Sequence, residues 1–188
     1  LMGLNFGSEK IYVACGGNFY EGDGNLWIIE DDTSLGYAYN PIGDLVQSVY
    51  VYQNLLFVVA NVSSEIHVFD ILDDTLIHNN TIYTNNSGPR EMIVHNGYLY
   101  FTNWYTQDLK RVNLNTWQID QEISMPGLPE DIVLANNLLY ISITMNSDWT
   151  DGNQVVAYSP DTHTIVETYN VGLGPDQLTE LNGDIYIS

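Results

Sequence analysis

Glu91 and Asp131 each follow a proline, Pro89 or Pro129, by two residues. Two carboxylates brought together from such matching positions could hold a metal ion that activates water, the one enzymatic route these residue types allow. Oxygen-rich stretches occur at Glu21-Gly22-Asp23-Gly24-Asn25 and Asp148-Trp149-Thr150-Asp151-Gly152-Asn153. A divalent cation such as calcium takes oxygen ligands, but its loops space them regularly and end in a bidentate glutamate, and neither stretch does. No cofactor is therefore expected. His67, His78, His95 and His163 have no partner at zinc spacing. No Gly-x-Ser-x-Gly elbow occurs, and no histidine stands at a defined distance from Cys15. The glycines at 16–24 precede a strand-like run with no lysine after them, which excludes a phosphate cradle. No catalytic residue is expected, and what remains is binding. Phe19, Tyr20, Trp104, Tyr105 and Trp149 offer flat, rigid contact surface. Gln47, Arg90, Glu91, Glu130, Asp131, Asp176 and Gln177 offer polar groups to a small molecule or a cation.

A repeat gives these residues a common setting. An aromatic flanked by apolar residues returns as Tyr12, Phe57, Tyr100, Tyr140 and Tyr186, at steps of 45, 43, 40 and 46 residues. Pro89, Pro129 and Pro175 each stand 11 residues before their aromatic, and Val46 takes that place before Phe57. After each aromatic come apolar runs at Leu26 to Ile29, Ile66 to Phe69, Leu109 to Leu114 and Val155 to Tyr158. Polar turns carrying Thr33, Thr75, Thr116 and Thr162 follow, and then a fourth run such as Ile119 to Ile123 or Thr164 to Tyr169. No sustained 3.6-residue apolar spacing is present, whereas β-branched and aromatic residues bounded by Asn-Gly, Asp-Gly and Gly-Pro recur.

Four short strands in a repeat of this length predict an all-β fold, a β-propeller of four-stranded antiparallel blades. The expected blades are roughly 1–43, 44–86, 87–126 and 127–172, with a partial blade at 173–188, about four and a half in one propeller segment. A closed ring has four to eight blades, so the segment is expected to belong to a propeller of six to eight. The chain opens on Leu1 without a basic-then-apolar leader and stops at Ser188 after a strand-like run, so a processed or shortened chain is the expectation. Loops joining second to third strands, and those joining blades, should meet on one face, the top. That face would carry the five aromatics, while Gln47-Ser48, Arg90-Glu91, Glu130-Asp131 and Asp176-Gln177 would line the mouth of the central channel.

Composition limits the partners. With 24 acidic residues against 4 basic ones and a formal charge of −20, the chain repels phosphate backbones and anionic membranes, so no nucleic acid is expected. Its longest apolar runs, such as Leu55 to Ala60, are strand-sized and far below the roughly 20 residues of a membrane-spanning helix. A single cysteine cannot form an internal disulfide. Asn61, Asn79 and Asn85 open Asn-x-Ser/Thr sequons, which arise readily by chance in an Asn-rich chain.

Several stretches resemble the YVTN/YncE-like β-propeller repeat proteins, and within them the surface-layer (DUF5074-like) group: Gly17-Asn18-Phe19, Gly43-Asp44-Leu45-Val46-Gln47-Ser48-Val49, Leu99-Tyr100-Phe101-Thr102-Asn103 and Asn170-Val171-Gly172-Leu173-Gly174-Pro175. The resemblance spans the whole chain and implies an exported protein, secreted, periplasmic or at the cell surface, usually seven-bladed and without catalytic residues. Some similar propellers are surface lipoproteins that capture a small molecule such as a corrinoid for an outer-membrane transporter. The chain departs from them in lacking a lipoprotein cysteine at its start and in being short for seven blades. The expectation is a non-enzymatic propeller that binds a small-molecule ligand or a surface protein partner through its top-face loops. The alternative is a metal-dependent hydrolase or lyase of the gluconolactonase-like or streptogramin-lyase-like kind, using Glu91 and Asp131.

Overall fold

The computed structural model describes residues 3–6, 10–29, 37–72 and 75–188, so Thr33 lies outside the described residues. The chain divides into two compact units, Leu1–Arg90 and Glu91–Ser188. In the first unit one sheet is β1 (Gly3–Phe6), β2 (Ile11–Cys15), β3 (Gly24–Ile29) and β4 (Tyr37–Gly43). Its second sheet is β5 (Val46–Tyr52), β6 (Leu55–Ala60), β7 (Glu65–Leu72) and β8 (Thr75–Tyr83). Next come β9 (Pro89–His95), β10 (Tyr98–Asn103), β11 (Asp108–Asn113) and β12 (Gln118–Ser124), then β13 (Gly127–Ala135), β14 (Leu138–Asn146), β15 (Asp151–Ser159) and β16 (Thr164–Asn170). A hairpin of β17 (Leu178–Leu181) and β18 (Asp184–Ile187) ends the chain. Every sheet is a meander of sequential antiparallel neighbours, and no helix occurs among the described residues.

Position within a blade decides which sequence pattern a strand carries. Second strands are covered on both faces, so they read as unbroken apolar runs: Leu56 to Ala60 of β6 and Leu99 to Phe101 of β10 are all buried. Fourth strands sit at the outer edge, where β12 alternates half-buried with exposed residues and β16 is exposed throughout. In the first unit Tyr12, Leu26 and Ile28 of one sheet pack with Val46, Leu56, Val58 and Phe69 of the next. In the second unit Tyr100 and Leu109 pack with Ile132, Leu139, Ile141, Val156 and Tyr158. The anchor aromatics Tyr12 and Tyr100 are thus buried between successive sheets, where they remove large apolar area from water.

First strands are shaped by proline. Pro129 has no N–H to give to the ladder, and β13 breaks register on both sides of it, leaving Glu130 and Asp131 together opposite Ser142. The displaced main-chain groups find side-chain hydroxyls instead. Ser142 Oγ accepts from the Asp131 N–H at 2.9 Å and donates to the Asp176 carbonyl at 3.0 Å. Thr102 Oγ1 repeats this one blade earlier, accepting from the Glu91 N–H at 3.1 Å and donating to the Glu130 carbonyl at 2.6 Å. In the first unit β5 skips Gln47, and Ser48 Oγ donates to the Arg90 carbonyl at 2.6 Å. A second bracket lies beside the first, in which Asn61 Nδ2 donates to Pro89 O at 2.8 Å and Thr144 Oγ1 to Pro175 O at 2.6 Å. Asn61, the first sequon asparagine, is thereby buried as a structural donor.

Thr102→Val keeps the volume and deletes the hydroxyl, so the Glu91 N–H and the Glu130 carbonyl lose their partner in a buried site. Each such orphan costs about 1–3 kcal/mol, so the variant is expected to lose about 2 kcal/mol or more in urea unfolding, with faster exchange of the Glu91 amide. Wild-type stability in Thr102→Val would remove the bracket from the account of this fold.

Candidate functional site

In the second unit, two loops between second and third strands carry the aromatics. The turn after β14 is braced from within: Asp148 Oδ1 accepts from the Thr150 N–H at 3.1 Å and from Thr150 Oγ1 at 2.6 Å, and Asn146 Nδ2 donates to Thr150 Oγ1 at 3.1 Å and to the Asp151 carbonyl at 2.9 Å. These bonds hold the exposed Asp148 carboxyl below the usual carboxylate range. The brace puts Trp149 at φ 67°, a left-handed conformation uncommon for a bulky residue, and turns its ring outward to 56% exposure. Trp104 of the β10–β11 loop meets it edge to face, with ring centroids 6.0 Å apart at 78°. Ser147 Oγ donates to Gln107 Oε1 at 2.7 Å, tying the two loops together, and Tyr105 stands exposed beside Trp104 in the chain.

The first unit has its own aromatic loop. Asp23 accepts from the Asn18 N–H at 2.7 Å through Oδ1 and from Asn18 Nδ2 at 2.9 Å through Oδ2. A Cβ on Gly17, at φ 71°, would stand 2.2 Å from Asp23 Oδ1, so the glycine is required for this brace. Phe19 and Tyr20 are displayed at its tip, Tyr20 at φ 63° and 82% exposed, with ring centroids 5.9 Å apart. Both acidic loops therefore use carboxylates to shape themselves. Among the described residues no group of three or more His, Cys, Asp or Glu side chains is placed to hold a metal ion.

The polar positions that follow the blade-start prolines are built into the blade seams. Arg90 Nη1 donates to the buried Gln47 Oε1 at 2.9 Å within the first unit. In the second unit Asp131 Oδ1 accepts from the Ile132 N–H and Oδ2 from the Leu178 N–H, each at 2.7 Å, so this carboxylate fastens β17 to β13. Burial raises the Asp131 pKa above the ordinary aspartate value; the two N–H bonds oppose the shift and the Asp176 charge adds to it. Glu91 and Glu130 are held through their main chains by Thr102, with the Glu130 side chain buried and that of Glu91 half-buried. Asp176 and Gln177 are exposed, and their main-chain groups bond Ser188. The hydroxyls that organise this rim were not picked out from the sequence. Their signal was present as Thr102 and Ser142, each two residues after its anchor aromatic.

No family model matches the chain, and no curated protein matches it in sequence. Solved structures do match it in fold. The chain is similar to a streptogramin B lyase structure, with a TM-score of 0.75 and 15% identity over 99% of this chain and 61% of that one. It is similar to the WD40 β-propeller domain of Doa1, with a TM-score of 0.73 and 15% identity over 98% of this chain and 58% of that one. A chain of a mitotic checkpoint complex gives a TM-score of 0.71 and 14% identity over 94% of this chain and 52% of that one. With its four-stranded antiparallel sheets, the chain has the β-propeller repeat fold. It spans about three fifths of the length of the first two propellers it matches.

Asp131→Asn keeps the shape of the side chain but turns one acceptor oxygen into a donor, leaving the N–H of Ile132 or Leu178 without a partner. Exchange of whichever of these two amides is orphaned is expected to quicken at least about tenfold, from a bond worth about 1–3 kcal/mol. The wild-type carboxyl binds its proton more tightly folded than unfolded. Its contribution to stability is therefore full below pH 3.8, the ordinary aspartate value, and is lost as pH rises through the raised one. The substitution should remove that part of the acid-range slope in unfolding measured from pH 3 to 6.

Proposed function

We propose that this chain is part of an exported β-propeller, akin to the YVTN/YncE-like surface-layer group, that binds a small molecule or a surface protein through its top-face loops without catalysing a reaction. The observation that carries this reading is the Trp104–Trp149 pair, in which the half-buried Trp104 meets edge to face a Trp149 that is held by a braced turn and left open to solvent. Rigid aromatic rings lose little entropy on contact, which is why such surfaces serve recognition. Tyr105 extends the surface in the same unit, and Phe19 with Tyr20 supplies a second patch in the other. In the second unit the half-buried Glu91 and the exposed Asp176 and Gln177 add polar groups. In the whole protein the partner would be a surface protein such as an outer-membrane transporter, and the ring would hold about seven blades.

The hydrolase or lyase reading needs Glu91 and Asp131 free to take a metal. Both Asp131 oxygens already accept main-chain N–H groups, which weighs against it. Likeness to the lyase structure at 15% identity carries the fold and not the chemistry.

A corrinoid titrated into the chain, read by quenching of tryptophan emission, tests the proposal. Saturable quenching is expected, weakened about tenfold or more by Trp149→Ala or Trp104→Ala, the loss of a stacked aromatic hot spot. Chelation of divalent ions should leave it unchanged. Binding that needs a metal and Glu91 would favour the enzyme instead.

A further inference from the structure

The Trp104–Trp149 pair has an electrostatic character as well as an aromatic one. Its ring planes stand 78° apart with centroids separated by 6.0 Å, so the two indoles form adjacent walls of a corner. Each indole face is the negative side of the ring quadrupole, and a cation is drawn to it from within roughly 6 Å of the centroid. Centroids this close let one cation meet both rings at once. A neutral apolar group gains contact area from the same walls but nothing from their quadrupoles.

The charges around the corner favour the same kind of ligand. Asp148 immediately precedes Trp149 and Asp151 follows it by two residues, and both are exposed. The Thr150 N–H and hydroxyl bonded to Asp148 favour its ionised form, so it stays charged at neutral pH. No lysine or arginine of the same unit offsets these carboxylates. Lys110 and Arg111 are the only two in residues 91–188, and they are bonded to Asp108 with Glu122 and to Asp120. A face-bearing aromatic corner and an unneutralised pair of carboxylates on one loop are complementary to a positive charge clothed in apolar groups.

We propose that the corner between Trp104 and Trp149 is a site for a small methylated ammonium cation, with the two indoles as its walls and the Asp148 and Asp151 carboxylates as its counter-charges. This rests on the reading of the tryptophan pair as a binding surface and adds the charge of what it binds. Methylation suits the ligand to the site, because the methyl groups spread the charge over an apolar shell that lies against both rings. A bare ammonium is strongly hydrated and must give up that water to do the same. Tyr105, exposed and next to Trp104 in the chain, offers a third ring.

The test titrates the chain with choline and with 3,3-dimethylbutan-1-ol, which has the same shape with carbon in place of the charged nitrogen, and reads tryptophan emission. Choline is expected to give a saturable change with a midpoint at least about fivefold lower than that of the neutral isostere, and added salt should narrow the difference. Trp149→Leu keeps apolar bulk and removes the ring, so the two ligands should become equivalent while urea unfolding shows the chain still folded. Asp151→Asn should weaken choline and leave the isostere unchanged. Choline that binds no tighter than the isostere, or not at all, overturns the ammonium assignment. Quenching by a corrinoid that still depends on Trp149 would then leave the binding-surface reading standing, whereas no saturable response to any of the three overturns both.

Discussion

Each blade's first strand has a ladder partner within its own sheet on one side only, and the architecture depends on what satisfies the other side. Buried main-chain polar groups left unpaired cost as much as a typical protein gains from several good contacts. The solution here is a hydroxyl from a neighbouring strand that accepts from one first strand and donates to the next, as Thr102 does between Glu91 and Glu130 and Ser142 between Asp131 and Asp176. In β13 proline interrupts the ladder, and the register break beside it makes the bracket geometrically available. Packing of the anchor aromatics then follows, because the brackets set the spacing at which successive sheets meet.

Charge is organised around the same frame. The strongly acidic chain uses its few cations internally. Lys110, 2% exposed, bonds Asp108 and Glu122 at 2.9 Å each, and the Arg111 guanidinium holds Asp120 while lying 4.1 Å over the Tyr98 ring. The hydrogen bond to Asp120 raises the Arg111 pKa still further, and burial pushes the Tyr158 hydroxyl up to about 12, so neither group titrates near neutrality. The formal charge of −20 is thus carried mostly by carboxylates without a basic partner.

Within that field the aromatic loops are the groups least explained by folding alone. Trp149 and Tyr20 are held at positive φ and turned outward by carboxylates that brace their own turns. Both rings are thus exposed to water in a backbone conformation uncommon for bulky residues. The rim carboxylates tell the opposite story. Asp131 is consumed by the seam it stabilises, with both carboxylate oxygens accepting main-chain N–H groups.

The repeat was legible because two-sided burial forces apolar runs onto second strands, and an aromatic at each interface returns at each blade. Tyr12, Phe57, Tyr100, Tyr140 and Tyr186 therefore mark the second strands in the sequence. Aromatics in polar loops were legible as candidate contact surface for the same reason, since nothing in a turn requires them. The roles of Asp131, Thr102 and Ser142 were not legible, because a carboxylate at a strand start reads alike whether it faces a ligand or a neighbouring N–H. The sequence by itself determined the all-β repeat and the loops that carry rings, through local periodicity and turn chemistry. Only the tertiary structure decided which polar groups are spent on the seams and which stay open, because that depends on contacts between strands about 30 to 50 residues apart, whose pairing local pattern does not encode.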